Sequence, residues 1–368
     1  MNIVEGKYTS AVVFSDTAED YAVAQIKQLC DNAAFKDSCI RIMPDVHPAK
    51  VGPVGFTATV NDRILPAIVG VDIGCGMTIT KLGDKRVDNM RLDKVIRENV
   101  PVGPAIRDKC HRFADDIELA ELNCAEHIRP EKAYRSIGTL GGGNHFIEVD
   151  RDEDGNLYLM IHSGSRSLGI DVAEHYMRKG QECAEEKVPY ELSYVEGELM
   201  QQYLDDVQFV QRYAELNRMA ISDEILRGMK WKASEQYSCV HNYIDSTDGK
   251  YLIRKGAISA KEGERVIIPI NMRDGVILGV GKGNADWNCS APHGAGRIYK
   301  REDVKKHHTL SEFKKEMKGI YSPSINSATL DEGPFAYRRI DEILDAIKNT
   351  VDVTEVIKPV YNFKAGGE

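Results

Sequence analysis

The chain has 368 residues, of which 42% are hydrophobic and 29% are charged. This composition is typical of a globular protein, and no apolar run reaches the roughly 18–20 residues of a membrane-spanning helix, so we expect no membrane partner. The 57 acidic residues outnumber the 48 basic ones, for a net charge of −9. That charge argues against a general nucleic-acid coat protein, but not against an enzyme that grips one end of a strand.

In the N-terminal part, a helix is predicted after Thr17, because Thr17 and Asp20 resemble a capping box and apolar residues then recur at helical spacing. Segments rich in Val, Ile and Thr, separated by Gly and Pro, predict short strands. These strands are expected over residues 38–43, 54–60, 64–71 and 77–82. Residues 102–128 are predicted to be helical in part.

Further along the chain, residues 157–161 predict a strand, and residues 192–229 contain few breakers and predict one long helix or two shorter ones. Strands and turns return over residues 237–281. Charged helices follow over residues 298–350, and a final strand over residues 354–363. Because no regular βαβ repeat appears, we favour an α+β fold over a doubly wound one.

The sequence shows no internal repeat and no low-complexity linker, so we expect one domain over residues 1–368. The N-terminus lacks a basic region followed by an apolar core, which predicts that there is no secretion signal. The eight cysteines include no CxxC pair, and thiols in a chain without a leader are expected to stay reduced. We therefore expect a cytoplasmic protein.

Several short runs combine glycine with side chains that bind metals or phosphate. In GVDIGCG (residues 70–76), Asp72 and Cys75 stand three apart and can point at one ion. A carboxylate with a thiolate suits Mn, Zn or Fe. The alternative is a core cysteine beside a turn-capping aspartate.

The run GTLGGGNHFIE (residues 138–148) contains three consecutive glycines, whose backbone N–H groups suit a phosphate. Asn144, His145 and Glu148 follow these glycines at once. The alternative is a tight turn before a strand, with His145 bonded locally.

Two more histidines lie at the ends of predicted strands. In IHSGSR (residues 161–166), His162 and two hydroxyls come together with Arg166, which suits bidentate phosphate contact; a capped loop is the alternative. His241, beside Asn242, follows alternating apolar residues. A lone strand histidine is usually structural, so His241 indicates a ligand only if it converges with the others.

The run CSAPHGAGR (residues 289–297) sets His293 between a proline and two glycines, with Arg297 four residues on. An accessible, neutral imidazole next to a cation that can hold a phosphate suits a reactive histidine, whereas a helix-entry loop is the alternative. The chain has neither a GxxxxGK[ST] phosphate-binding loop nor a KxDG motif, so a nucleotidyl transfer would need a nucleophile other than lysine. A metal-plus-nucleophile centre explains all the runs together better than core packing does.

Taken in order, the motifs resemble those of the RtcB family of RNA ligases across nearly the whole chain. The resemblance implies an α+β domain with a metal-lined central cleft. The matching segments are MPDVH (residues 43–47), GVDIGCG (70–76), GGGNHFIE (141–148), HSGSR (162–166), HN (241–242), RKGA (254–257) and HGAGR (293–297).

The resemblance also implies roles for single residues. His293 corresponds to the histidine that attacks the α-phosphorus of GTP, and Asp45, Arg166 and Arg297 are further catalytic candidates. Two Mn²⁺ ions would be bound by Asp72, Cys75, His145, His162 and His241, with Cys75 bridging them. The candidate nucleotide-binding residues are Asn144, His145, Phe146, Ile147, Glu148, His241, Asn242, Pro269, Asn271, Met272, His293, Gly294, Gly296 and Lys364.

The implied reaction joins RNA ends bearing a 3′-phosphate or 2′,3′-cyclic phosphate to 5′-hydroxyl ends, as in RNA repair or tRNA splicing, with an activating protein as a further partner. Two family serines read Asn271 and Val276 here, which puts nucleotide contacts in question. The alternatives are a metal-dependent RNA-end phosphoesterase that has lost ligation and an inactive RNA-binding relative. The lysine-rich run at residues 300–318 is either an RNA-holding surface or a solvated helix face.

Overall fold

The computed structural model describes residues 2–183, 188–247 and 249–365. Its strands are β1 (Asn2–Glu5), β2 (Ser10–Val13), β3 (Ile40–His47), β4 (Val54–Val60), β5 (Arg63–Ile64), β6 (Gly76–Asp84), β7 (Phe146–Arg151), β8 (Asn156–Ser163), β9 (Val195–Glu196), β10 (Glu235–Val240), β11 (Asn242–Thr247), β12 (Lys250–Lys255), β13 (Ala257–Ser259), β14 (Arg265–Asn271), β15 (Gly275–Gly281), β16 (Ser290–Pro292) and β17 (Val351–Lys364). Its α-helices are α1 (Asp20–Cys30), α2 (Pro66–Val69), α3 (Asn89–Asn99), α4 (Pro130–Ser136), α5 (Arg166–Cys183), α6 (Gly197–Met229), α7 (Arg301–His307), α8 (Leu310–Glu316) and α9 (Ile340–Ala346). Among the helices of these described segments, none has the length and apolar character needed to cross a membrane.

Two larger sheets organise the fold. A six-stranded sheet has the order β1-β2-β3-β4-β12-β11, in which only β2 and β3 pair in parallel. A seven-stranded antiparallel sheet has the order β10-β6-β8-β7-β17-β15-β14. This mixture of sheets and helices without a βαβ repeat confirms the α+β class.

Helix α6 spans 33 residues, about 50 Å at the usual rise per residue. Its N-terminal half buries Tyr203 and Val207 in a core shared with the six-stranded sheet. Its C-terminal half buries Ile221 and Ile225 in a second core, against one face of the seven-stranded sheet. One continuous helix therefore joins both cores, and the prediction for residues 192–229 resolves to a single α-helix.

Two predictions of local structure were wrong. The segment 64–71 does not form a strand, because Pro66 begins α2 after the two-residue strand β5; proline is pre-organised for the first turn of a helix. Thr17 does not cap α1 either. The N-cap residue is Glu19, and its side chain makes no capping hydrogen bond.

The remaining elements follow the predicted pattern more closely. The strands predicted at residues 54–60, 77–82, 157–161 and 354–363 coincide with or lie within β4, β6, β8 and β17. The segment 102–128 is helical only as short 3₁₀ turns.

We predict that Ile225→Ala will lower the midpoint of urea unfolding far more than Ile3→Ala. Ile225 is fully buried beneath the seven-stranded sheet, whereas Ile3 is 59% exposed on the edge strand β1. Truncating a buried isoleucine costs about 2–5 kcal/mol, against less than about 1 kcal/mol for the exposed strand position. Far-UV circular dichroism during urea titration measures both. Equal midpoints would contradict the assignment of α6 to the core.

Candidate functional site

The glycine-flanked runs meet because of strand order in the seven-stranded sheet. Cys75 directly precedes β6, His162 lies near the end of β8, His145 directly precedes β7, and His241 directly follows β10. The strands β10, β6, β8 and β7 are antiparallel neighbours in that order. Since antiparallel neighbours bring the start of one strand beside the end of the next, all four side chains reach the same sheet edge.

Cys75 lies at the centre of this group. Its Sγ is 3.4 Å from Nε2 of His145 and 3.4 Å from Nε2 of His162. His162 Nε2 is 3.0 Å from His241 Nε2, and His145 Nε2 is 3.1 Å from Asp72 Oδ2. Cys75 thus belongs to two sets of three potential metal ligands, one with His162 and His241 and one with Asp72 and His145. We call these five residues the ligand cluster.

Hydrogen bonds on the far side of two rings orient their Nε2 atoms. His145 Nδ1 lies 2.8 Å from the Leu140 carbonyl oxygen, and His162 Nδ1 lies 3.2 Å from that of Asn144. A ring that donates from Nδ1 keeps a lone pair on Nε2, the arrangement that metal-ligating histidines use. The donor set therefore fits a transition-metal ion of the kind that accepts imidazole, thiolate and carboxylate together.

Burial shapes the protonation of the cluster. It lowers the pKa of His162 and His241 well below the usual range, so both imidazoles are neutral. Burial, followed by the nearby charge of Asp72, raises the pKa of the Cys75 thiol. Burial opposes ionisation of Asp72 as well, but its hydrogen bond with His145 lowers the pKa overall. A Cβ on Gly164 would overlap Oδ1 of Asp72, so a larger residue there would displace this carboxylate.

His293 lies beside the cluster, with its ring centroid 4.7 Å from that of His241. Its Nδ1 is 2.7 Å from Oδ2 of Asp45, a carboxylate that is fully buried. The hydrogen bond to Asp45 fixes the orientation of the ring. It places the ring proton on Nδ1, so that Nε2 of the neutral ring carries the lone pair. This arrangement resembles the way in which a buried carboxylate orients a catalytic histidine.

Most of the predicted nucleotide-binding residues line one cavity, which we call the first cavity. Residues not selected from the sequence also line it, namely His47, Met77, Ile270, Ala295, Arg301, Glu332, Tyr337 and Asn362. The predicted residues in its wall are Asn144, Phe146, Glu148, His162, His241, Pro269, Asn271, Met272, His293, Gly294, Gly296, Arg297 and Lys364.

Some predicted residues lie outside the first cavity. Ile147 points to the opposite face of β7, since side chains alternate along a strand, and packs in the core beside α6. The Asn242 amide is turned away, toward the Asp72 carbonyl at 3.4 Å and the Gly256 N–H at 2.9 Å. Val276 is fully buried in the hydrophobic core. It therefore offers no group to a ligand.

Asn271 lines the cavity, yet its amide is engaged in its own turn. Its Oδ1 accepts from the N–H groups of Arg273 and Asp274, at 3.0 and 2.9 Å. Its Nδ2 donates to the Asp274 carboxylate at 2.9 Å. The Asn271 amide oxygen is therefore not free to bind a nucleotide.

Glu332 is the residue of this cavity that sequence reasoning could least have found, because it lies in a 3₁₀ turn with no motif. It is buried and accepts hydrogen bonds from Lys364, Arg301 and the Tyr337 hydroxyl. Burial alone would raise the pKa of Glu332, but these cations, with Lys364 first, lower it overall. Asn362 could have been found from the sequence. It precedes Lys364 by two residues on β17, so the two side chains lie on the same face of the strand.

A carboxylate also lies in the inner wall of the first cavity. The Asn362 amide donates to Glu148 across the β7–β17 pair. Burial nevertheless raises the pKa of Glu148 to about 7.

A second cavity exposes other members of the ligand cluster. Its lining includes Asp72, His145, Arg166 and Lys132, and it shares Asn144 with the first cavity. His162 and His241 line the first cavity instead. The cluster therefore lies between the two cavities and can be reached from both.

Arg166 lies in the left-handed region with φ 55°. Its guanidinium donates to Thr139 Oγ1 at 3.2 Å and to the Gly103 carbonyl at 2.8 Å. It passes so close to Gly141 that a Cβ there would overlap it. These contacts fix the cation at the mouth of the second cavity.

Comparison with known proteins adds an independent finding. The family model described as tRNA-splicing ligase RtcB matches residues 25–365. The RNA-splicing ligase RtcB of Escherichia coli K12 is 31% identical over 367 residues, covering 88% of this chain and 90% of the relative. The tRNA-splicing ligase RtcB of Nanoarchaeum equitans is 26% identical over 442 residues, covering 94% of this chain and 91% of the relative. The similarity therefore extends along almost the whole sequence.

We predict that Cys75→Ser will lower the bound-metal content of the purified protein and weaken metal affinity by at least about tenfold, because a hydroxyl is a much poorer ligand for transition metals than a thiolate. Elemental analysis after dialysis against Mn²⁺ measures the content. Cys239→Ser is the matched control, since Cys239 is also buried but donates only to the Arg265 carbonyl. Normal metal content in Cys75→Ser would refute the role of the thiol.

Proposed function

The chain belongs to the RtcB family and is an RNA ligase, and we propose that it joins RNA ends in a reaction that consumes GTP and requires Mn²⁺. The proposed substrates are a 3′-phosphate, or a 2′,3′-cyclic phosphate that water first opens, and a 5′-hydroxyl. The observation that carries the proposal is the His293–Asp45 pair, 2.7 Å apart and next to the ligand cluster.

His293 is the proposed nucleophile. With Asp45 bonded to Nδ1, the Nε2 lone pair is available to form a bond to the α-phosphorus of GTP. Pyrophosphate leaves with the electrons of the broken P–O bond, and His293 carries GMP. Asp45 stabilises the cationic ring that results, as a buried carboxylate does for an imidazolium.

The GMP then passes from His293 to the RNA 3′-phosphate, which frees the imidazole and makes an activated RNA end. The 5′-hydroxyl then attacks the phosphorus of the RNA 3′-phosphate. GMP leaves with the electrons of the broken P–O bond, and the hydroxyl proton is lost. Asp72, Cys75, His145, His162 and His241 would hold the Mn²⁺. Bound there, the metal would offset the negative charge that builds on the transferring phosphorus.

The first cavity suits a guanine nucleotide. Lys364 and Glu148 both reach into it from paired strands, β17 and β7. An ammonium group complements the guanine carbonyl oxygen, and an ionised carboxylate complements its N–H donors. Arg297 and Arg301 line the same cavity as His293 and could contact phosphate oxygens there.

The second cavity suits the RNA end. Arg166 and Lys132 supply two cations there, beside Asp72 and His145. An RNA phosphate held at this place would face the ligand cluster from the side opposite the nucleotide. GTP and RNA would then reach the metal without competing for one opening.

We predict that His293→Ala will abolish covalent labelling by α-labelled GTP with Mn²⁺, because no other described histidine in the first cavity has a carboxylate bonded to its Nδ1. Denaturing electrophoresis measures the labelled adduct. Asp45→Asn should reduce the adduct but not abolish it, since the ring keeps its nucleophilic nitrogen and loses only its orientation and charge stabilisation.

The control for this prediction is His127→Ala, because His127 is an exposed histidine in a 3₁₀ turn outside both cavities. It should label normally. An adduct that maps to a lysine would refute the histidine mechanism. Hydrolysis of RNA-end phosphates with no adduct at all would favour the phosphoesterase.

A basic surface next to the first cavity is the proposed place for the RNA strand. Helices α7 and α8 expose Lys305, Lys314 and Lys315, and α7 begins at Arg301, which lines the cavity. The chain as a whole is acidic. Local positive charge is therefore needed to bind phosphates. Lys306 is paired with Asp303 and is less available.

We predict that Lys305→Glu with Lys314→Glu will weaken RNA binding and flatten its salt dependence, by roughly 0.7 in slope for each lost phosphate contact on a single strand. Fluorescence anisotropy at several salt concentrations measures both effects. Labelling by GTP alone should be unchanged, because that step needs no RNA. The matched control is Lys94→Glu with Lys232→Glu, two exposed lysines remote from the cavity lining. Equal effects of the two double variants would show that the surface acts only through net charge.

A further inference from the structure

Two adjacent residues of α6, Asn217 and Arg218, contact the loops that carry the ligand cluster without belonging to it. Both side chains are fully buried. Arg218 forms no ion pair with a described carboxylate, although a buried cation costs several kcal/mol unless it is compensated. Its Nη2 has no hydrogen-bond partner among the described atoms. Packing alone does not explain why an arginine occupies this position.

The hydrogen bonds of the Arg218 guanidinium all go to β6, to the loop that precedes it or to the end of β8, which carry Cys75 and His162. Nη1 donates to the carbonyl oxygens of Gly74 at 2.8 Å and Ser163 at 3.1 Å. Gly74 precedes Cys75, and Ser163 follows His162. Nε donates to Thr78 Oγ1 on β6 at 3.0 Å. One guanidinium therefore joins the start of β6 to the end of β8, where Cys75 and His162 lie 3.4 Å apart.

Asn217 connects the loop at residues 138–139 to the end of β8. Its Oδ1 accepts from the N–H groups of Gly138 and Thr139, at 2.8 and 3.0 Å. Its Nδ2 donates to the Gly164 carbonyl at 2.9 Å, the Thr139 carbonyl at 3.1 Å and Ser163 Oγ at 3.1 Å. The segment it holds, residues 138–139, leads directly to the Leu140 carbonyl that orients His145.

We propose that Asn217 and Arg218 are positioning residues for the metal centre, setting the distances among Cys75, His145 and His162 from behind. The inference rests on the metal centre of the proposed function. Backbone carbonyls are the groups to be held, and a planar guanidinium can hold two of them in fixed directions, which a lysine ammonium cannot.

The test is a Co²⁺ titration of the purified full chain against a competing chelator, with the sulfur-to-cobalt absorbance of Cys75 as a second readout. Arg218→Lys and Asn217→Ser should keep the far-UV circular dichroism of the wild type. They should weaken Co²⁺ affinity by about 10–100-fold, the usual effect of losing support behind a ligand, and reduce the sulfur absorbance of the saturated protein. If Arg218→Lys fails to fold, Asn217→Ser decides the question.

The matched control is Asp206→Asn on the same helix. Asp206 is equally buried and accepts from the N–H groups of Asn123 and Cys124 and from the Tyr176 hydroxyl, none of which touches the cluster. It should lower the unfolding midpoint and leave Co²⁺ affinity unchanged.

Wild-type Co²⁺ affinity and absorbance in both α6 variants, with only a lowered unfolding midpoint, would overturn the positioning role and leave the metal centre intact. A wild-type protein without sulfur-to-cobalt absorbance would refute the metal centre itself, and with it both proposals. The two failures are therefore distinguishable.

Discussion

In the protonation state that metal binding requires, with Cys75 as a thiolate and the Nε2 atoms of His145 and His162 unprotonated, their lone pairs face one another across 3.4 Å and repel unless a cation lies among them. Each ligand must therefore be held by something other than its neighbours. His145 and His162 are held by carbonyl oxygens behind their rings, and Cys75 by the backbone at the start of β6. The structure around the site can be understood as the set of contacts that resists this repulsion.

The sheet supplies the first part of that resistance. Neighbouring strands are separated by a fixed distance of about 5 Å. The backbone alone therefore brings residues at adjoining strand ends close together, and no attraction between their side chains is needed. The sheet does not fix the loops beyond the strand ends. Glycine at position 164 allows Asp72 to approach, and α6 reaches these loops with polar groups because it also packs in both hydrophobic cores. Stability of the cores and geometry of the site therefore depend on one helix.

The sequence was a better guide to the residues of the ligand cluster than to the residues that line the first cavity. Asp72, Cys75, His145 and His162 stood out because they lie in glycine-containing runs beside apolar strands, where polar residues have few other reasons to be, whereas His241 became a candidate ligand only through its convergence with them. Ile147 was named because it lies in the motif GGGNHFIE, but strand alternation turns it into the core. Glu332 could not be found, because its place in the cavity depends on a segment with no regular pattern. The strand predicted over residues 64–71 failed for a local reason, since apolar content does not distinguish a strand from a buried helical turn that begins with proline.

The placement of His293 relative to the cluster limits how the reaction can proceed. The centroid of its ring lies 4.7 Å from that of His241. A phosphorus bonded to His293 Nε2 would therefore remain close to the ligand cluster, of which His241 is a member. His241 and His162 line the first cavity, while Asp72 and His145 line the second. On the proposed mechanism, GMP carried on His293 would face, across the cluster, an RNA phosphate entering from the second cavity. Such two-sided access would let one compact set of ligands serve nucleotide activation and strand joining in turn, without a large movement of either substrate.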